Sequence, residues 1–209
     1  MKISWIGHAS FRIDLSDGRS LVTDPFDPAV GYELPSRPAD IVTMSHGHHD
    51  HNYIGSLAPK TVIREPGVYA LEGVRIEGIP SFHDGEGGAK RGSNVIFVIE
   101  ADGARIAHLG DLGHDLTDAD IARLGKLDVL MIPVGGVFTI DAAQAAALAK
   151  RIGAKVTVPM HFRTGRLSFS LGGVDAFLDA MGERSETADA LDPAQENAPV
   201  VALNYGQGL

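Results

Sequence analysis

Residues 41–51 read Ile-Val-Thr-Met-Ser-His-Gly-His-His-Asp-His, an apolar run that breaks straight into four histidines and an aspartate. A short apolar run bounded by polar residues predicts a buried strand, so the histidine cluster falls at a strand's C-terminal end, on the rim of a sheet. Within the cluster, His46 and His48 project to the same side, which lets two imidazoles reach one ion. Asp50 and His51 follow at a predicted helix start, where Asn52-Tyr53-Ile54-Gly55 begins, and reach toward a second ion. Gly47 removes a Cβ where the backbone has to turn around the metal. His49 faces away from its neighbours and is expected in a supporting or surface position.

The chain has no cysteine, so disulfides, thiolate ligands and a cysteine nucleophile are excluded, and any metal takes nitrogen and oxygen ligands. Its 209 residues, 44% hydrophobic and 22% charged, suit one domain with a sizeable core. A net charge of -9 argues against a general electrostatic grip on nucleic acid. No stretch approaches the roughly 20 apolar residues of a membrane span, and the opening MKISWIGHASFRIDL lacks the apolar core of a signal peptide. A soluble cytoplasmic protein is expected, with neither nucleic acid nor membrane as a partner.

The opening residues alternate like a strand, and Asp17-Gly18 predicts a tight hairpin between strands over 10–15 and 20–24. Further strands are expected over 61–64, 74–79, 94–100 and 104–109, the last two joined at Asp102-Gly103. The pattern then changes. A helix over 117–126 with Thr117 as N-cap precedes an apolar strand over 129–134. Next comes an alanine-rich helix over 142–152, with Asp141 and Gln144 as a capping box and Gly153 at its C-terminus. A strand over 155–160 leads into His161, so ligand-type residues recur where strands end. A helix over 174–181, a polar surface loop or frayed helix over 182–199 and a strand over 200–204 complete the reading. A meander followed by alternating strands and helices predicts an α/β architecture, a mixed sheet system covered by helices.

His46, His48, Asp50 and His51 match the pattern H-x-H-x-D-H, and on that motif the chain resembles the metallo-β-lactamase superfamily. Ser81-Phe82-His83-Asp84, His108-Leu109-Gly110-Asp111 and Val158-Pro159-Met160-His161-Phe162 are similar to its later ligand segments, in the same order, over roughly residues 3–163. The resemblance implies a single domain over residues 1–209 with a four-layer αββα sandwich. It also implies His46, His48 and His83 on a first ion, Asp50, His51 and His161 on a second, and Asp111 bridging them. Gly7-His8-Ala9-Ser10, Thr23-Asp24-Pro25-Phe26 and the segment from Pro133 to Thr139 resemble the compact branch of hydrolases similar to ascorbate-6-phosphate lactonase. The missing cysteine sets the chain apart from β-lactam-hydrolysing members that use a cysteine ligand.

The implied activity is that of a metal-dependent hydrolase with two divalent ions, zinc first, with manganese or iron as alternatives. Two ions about 3.5–4 Å apart lower the pKa of a bridging water and supply a hydroxide at neutral pH. The expected substrate is a small ester, lactone or phosphodiester, with a phosphorylated molecule or a lactone as the partner to look for. Asp50 and His8 are the catalytic candidates, Asp50 as a proton acceptor and His8 as a pocket-lining residue. Asp24 is expected to accept the N–H of a ligand imidazole. Arg163 and Arg166, just past His161, are candidates for holding a phosphate or carboxylate, and the glycine-rich residues 85–92 for a mobile flap. His108 and His114 are assigned no role. An oligomer of identical chains is compatible with the resemblance. The competing readings are an iron-dependent oxidoreductase on the same ligands and a non-catalytic metal-binding scaffold.

Overall fold

In the computed structural model, which describes residues 1–33, 35–206 and 208, the chain forms two sheets packed face to face. The first contains β1 (Lys2–Gly7), β2 (Ser10–Asp14), β3 (Ser20–Thr23), β4 (Ile41–Thr43) and β5 (Thr61–Ile63), in that spatial order. β1 to β3 are antiparallel, and β4 and β5 add to β3 in parallel. The second sheet holds β6 (Gly67–Leu71), β7 (Val74–Phe82), β8 (Ser93–Ala101), β9 (Ala104–His108), β10 (Val129–Pro133), β11 (Val156–Met160), β12 (Ser185–Ala188) and β13 (Val200–Leu203). Its order is β12-β13-β11-β10-β9-β8-β7-β6. β6 to β9 form consecutive antiparallel hairpins, while β9, β10, β11, β13 and β12 run parallel. The helices α1 (Asp118–Leu124), α2 (Ala142–Ile152) and α3 (Asp175–Met181) occupy the connections between those parallel strands.

Alternation decides what each strand buries. In the first sheet Ile3, Leu21, Ile41 and Ile63 enter the large core shared with the second sheet. Their neighbours Ile6, Val22, Val42 and Met44 face the other way, into a smaller cluster with Phe26, Val30, Tyr32 and Leu57. That outer layer is built from loops and a 3-10 helix at Pro28–Val30. Over the second sheet, α2 contributes Ala145, Ala146, Leu148 and Ala149 to the core and α3 contributes Phe177 and Met181. The expected α/β sandwich is the one observed. Thr117 caps α1 in a capping box with Asp120, Asp141 pairs with Gln144 at the start of α2, and Gly153 closes α2 in the left-handed conformation. No helix among the described residues is long and apolar enough to cross a membrane.

Three local expectations are corrected. The helix predicted from Asp50 does not form: residues 47–59 are a chain of turns. A helix would pair the Tyr53 N–H with the His49 carbonyl, but Tyr53 N donates to Pro25 O at 2.8 Å and His49 O accepts from Asp27 N at 2.9 Å. Both partners are thus taken by the segment after β3, and the ligand loop is sewn to it. The stretch 182–199 contains β12, an edge strand whose residues are mostly exposed. β6, also half exposed, is an unpredicted edge strand pairing with β7.

Candidate metal centre

The strand order brings one rim of both sheets together, and the candidate ligands all sit on it. His8 follows β1, Asp24 follows β3, the segment 46–51 follows β4, His83 follows β7, Asp111 lies just past β9 and His161 follows β11. His8, Asp24 and His161 are each the first residue after a strand, and each has positive φ, at 53°, 39° and 53°. Left-handed backbone is uncommon outside glycine and persists where the surroundings enforce it, often at functional sites. Here the turns enforce one another: His161 N donates to His8 O at 3.1 Å, and Asp24 N donates to Thr43 O at 2.8 Å.

The side chains converge in two overlapping groups. His46, His48 and His83 present ligand atoms within 4.8 Å of one another, and so do His8, Asp50, His51 and His161. Asp111 stands between them. Its Oδ2 is 3.2 Å from His51 Nε2, 3.2 Å from His161 Nε2, 3.3 Å from His83 Nε2 and 4.0 Å from His46 Nε2. Among the described residues, the buried atoms His46 Nε2, His51 Nε2, His161 Nε2 and Asp111 Oδ1 have no hydrogen-bond partner. Unpartnered buried polar atoms are costly, and converging lone pairs of this kind fit divalent cations. The cysteine-free nitrogen and oxygen donor set suits zinc, manganese or iron.

A surrounding layer of hydrogen bonds aims these rings. Asp24 is fully buried and accepts from Ser45 N at 2.7 Å, Ser45 Oγ at 2.6 Å and His51 Nδ1 at 2.8 Å, turning His51 Nε2 toward Asp111. Ser45 Oγ also lies 2.9 Å from His46 Nδ1. Asn94 on β8 accepts from Asp111 N at 3.0 Å and donates to Leu109 O at 2.9 Å, fixing the turn that carries Asp111. Asp50 Oδ2 is 3.2 Å from His8 Nε2. Burial lowers the His8 pKa to about 4 and the His46 pKa to about 3, so both rings are neutral. Burial opposes ionisation of Asp111, but the His161 and His51 imidazoles outweigh it and hold the carboxyl well below its ordinary range. Burial likewise disfavours a charged His51, but Asp111 and Asp24 override it and raise its pKa.

A family model described as a beta-lactamase superfamily domain matches residues 2–161, the span that contains every one of these ligands. The chain is a member of the metallo-β-lactamase superfamily. A metal-dependent hydrolase of Methanoculleus marisnigri is 36% identical, with 78% of this chain and 82% of that protein covered. The chain thus belongs among the superfamily's metal-dependent hydrolases. A Thermotoga maritima structure assigned as a Zn-dependent hydrolase of the same superfamily superposes with a TM-score of 0.81 at 39% identity, covering 98% of this chain and 99% of that one. A diiron β-hydroxylase of Streptomyces venezuelae, at 12% identity and TM-score 0.58, covers 77% of this chain and 44% of its own and shares the fold alone.

In this superfamily member every predicted ligand, His46, His48, Asp50, His51, His83, Asp111 and His161, reaches the centre, and His8 and Asp24 lie beside it. A cavity of about 410 Å³ opens over His48, Asp50, His83 and Asp111. A larger concavity of about 580 Å³ lies at the opposite end of the second sheet, among Arg75, Glu100 and Arg105. It is remote from the histidines, whereas the smaller cavity opens directly on the candidate ligands. Arg163 and Arg166 do not line it: Arg166 pairs with Glu33 at 3.6 Å and lies over the Tyr205 ring, turned to the outer layer. The cationic side chains on the cavity wall are Lys90 and Arg91 instead. They sit in the glycine-rich segment read as a mobile flap, which is pinned: the Asp84 carboxylate accepts from the backbone N–H groups of Glu86, Gly88, Lys90 and Arg91 at 2.7–2.9 Å. His49 lines the mouth, exposed and outside the ligand groups. His108 is buried against Ala9 O at 2.7 Å, and His114 accepts from Phe82 N at 3.3 Å, and neither belongs to the ligand groups. Ser45, Asn94 and Phe169 carried no signal of their own in the sequence, and Phe138 was marked only as part of the segment from Pro133 to Thr139, with no role assigned to it.

Proposed function

We propose that the centre holds two divalent ions, zinc foremost, and hydrolyses a small ester, lactone or phosphodiester. His46, His48 and His83 would hold one ion, Asp50, His51 and His161 the other, with Asp111 between them. Ions held there supply acidification of a water molecule at neutral pH and polarisation of a substrate oxygen. The observation that carries the reading is the central Asp111 carboxylate, whose Oδ2 stands within 3.3 Å of imidazole nitrogens from both groups.

The chain's own residues supply orientation and charge. Burial works against an ionised Asp50, yet the His8 hydrogen bond and the His51 imidazole prevail and keep its pKa well below the ordinary range. An ionised Asp50 steadied by His8 orients the attacking water, and its low proton affinity makes it a poor resting proton store. In the net reaction the water oxygen joins the acyl or phosphoryl centre, the bond to the leaving oxygen breaks, and the leaving group takes a proton. The test is metal content per chain by elemental mass spectrometry together with turnover of an ester, lactone and phosphodiester panel. Wild type is expected to carry about two ions, and Asp111→Asn to lose at least one, with turnover lower by orders of magnitude. Unchanged metal content and rate in Asp111→Asn would remove the assignment.

A further inference from the structure

Part of the wall of the cavity over the imidazoles is cationic and aromatic, in a chain with 27 acidic and 18 basic residues. Lys90, Arg91, Phe138 and Phe169 form it. The Arg91 guanidinium carbon lies 5.5 Å from the Phe138 ring centroid, and Arg91 Nη2 donates to Val137 O at 3.2 Å. Its other N–H groups have no protein acceptor among the described residues. The backbone of Lys90 and Arg91 is held by Asp84, so both side chains project from a fixed base. Phe138 is held in place at a cost. Val137 has φ of 64°, an outlier for a β-branched residue, and Phe138 N closes a three-residue turn on Gly136 O at 2.7 Å. The turn leaves Val137 63% and Phe138 38% exposed, so it is not maintained by burial of those side chains. Backbone strain clusters where a site needs a particular geometry. Phe169 packs edge-on to Phe138 at 6.2 Å and to His8 at 5.5 Å, joining the aromatic wall to the histidine cluster.

The geometry points to a substrate with an anionic group, carboxylate or phosphate, on an apolar body. Arg91, assisted by Lys90, takes the anion, Phe138 and Phe169 flank the body, and the scissile group lies over His48, His83 and Asp111. This specificity rests on the hydrolytic reading above for its reacting end only. A guanidinium with free N–H groups matches either anion, and the apolar face beside it favours a ligand with both features. Lys90 is already paired with Glu86 in an exposed ion pair, which is weak and exchangeable, so Arg91 is the main contributor.

The test uses the metal-loaded protein and its R91M, K90M and F138A variants, with metal content checked in each. Calorimetry compares phenylpropionate and phenylethyl phosphate with the neutral phenylpropanol, and turnover compares mono-nitrophenyl glutarate with nitrophenyl valerate. R91M is expected to weaken the anionic ligands by about tenfold or more, the scale of a lost charge-assisted hydrogen bond, and to leave the alcohol within about twofold. F138A weakens charged and neutral ligands alike. A purely structural Arg91, serving only to clamp Val137, would instead lower both classes equally in R91M. That equal loss, or anion affinity unchanged in R91M because the metals alone hold the anion, overturns the proposal. The relative strength of the carboxylate and the phosphate identifies which anion the wall prefers. Failure of the loaded wild type to cleave either ester or a phosphodiester counts against the hydrolytic reading alone, since the binding comparison stands without turnover.

Discussion

At the scale of single residues, the centre depends as much on the groups behind the imidazoles as on the imidazoles themselves. Asp24 is the clearest case: a buried carboxylate with three donors, one of them His51 Nδ1. Burial raises its pKa, but the His51 hydrogen bond and the neighbouring imidazoles prevail and keep it low, so it acts as a pure acceptor. Asp24→Asn preserves the shape but presents an NH2 to at least one of the atoms now donating. His51 is then free to adopt the tautomer that puts its proton on Nε2, where the ligand lone pair has to be. Metal affinity measured by chelator competition is expected to fall about 10–100-fold, as for other residues that support a metal ligand; an affinity equal to wild type would show that Asp24 serves only to shape the turn. Asp24 was legible because its Asp-Pro segment resembles that of related chains. Its partner Ser45 was not, since a serine at a strand end is compatible with many environments, and Asn94 reaches Asp111 only through the pairing of β7, β8 and β9.

At the scale of elements, the long buried strands and well-capped helices were legible, and the edges and the ligand loop were not. β8 and β10 bury nearly every side chain and α2 carries both cap signals, so local pattern and tertiary structure agree. β6 and β12 are edge strands with exposed side chains, whose existence rests on backbone pairing that no side-chain pattern announces. The absent helix after Asp50 has the same origin, in bonds to residues far off in sequence. Contact between ligand loops yields a prediction of its own. Gly113 N donates to Phe82 O at 3.0 Å, and a Cβ on Gly113 would overlap the His83 carbonyl and Asp84 N. Gly113→Ala must therefore push the His83 loop away from the Asp111 loop. Overpacking of this kind costs about 1–3 kcal/mol. The expected result is lowered stability to chemical denaturant in the metal-free protein and weaker binding of the ion that His83 helps hold. Wild-type stability with full metal content would show that the two loops separate freely.

At the scale of the whole molecule, a cluster of imidazoles and carboxylates at the junction of two sheets couples stability to pH. Burial first of all lowers the pKa of His8, to about 4, of His46, to about 3, and of His83 and His108. The unfolded chain takes up protons on these rings near pH 6.5, while the folded chain resists until far lower pH. Their contribution to stability is complete above about pH 6.5 and is lost as the pH falls toward the folded values. His51 has the opposite sign: its raised pKa adds stability that is complete below about pH 6.5 and fades at higher pH. Four lowered imidazoles oppose one raised, and Asp24, Asp50 and Asp111, all lowered, surrender their share only below about pH 4. The metal-stripped protein is thus expected to lose Tm steadily from about pH 7 to pH 4.5. Bound ions require deprotonated rings, so the loaded protein should hold its Tm further into acid and then fall sharply as the ions leave. Calorimetric melting of both forms across that range is the check. A stripped protein whose Tm is flat or rises on acidification would mean that burial does not hold His8, His46, His83 and His108 neutral in the fold, and the opposing contribution of His51 would then dominate the pH response.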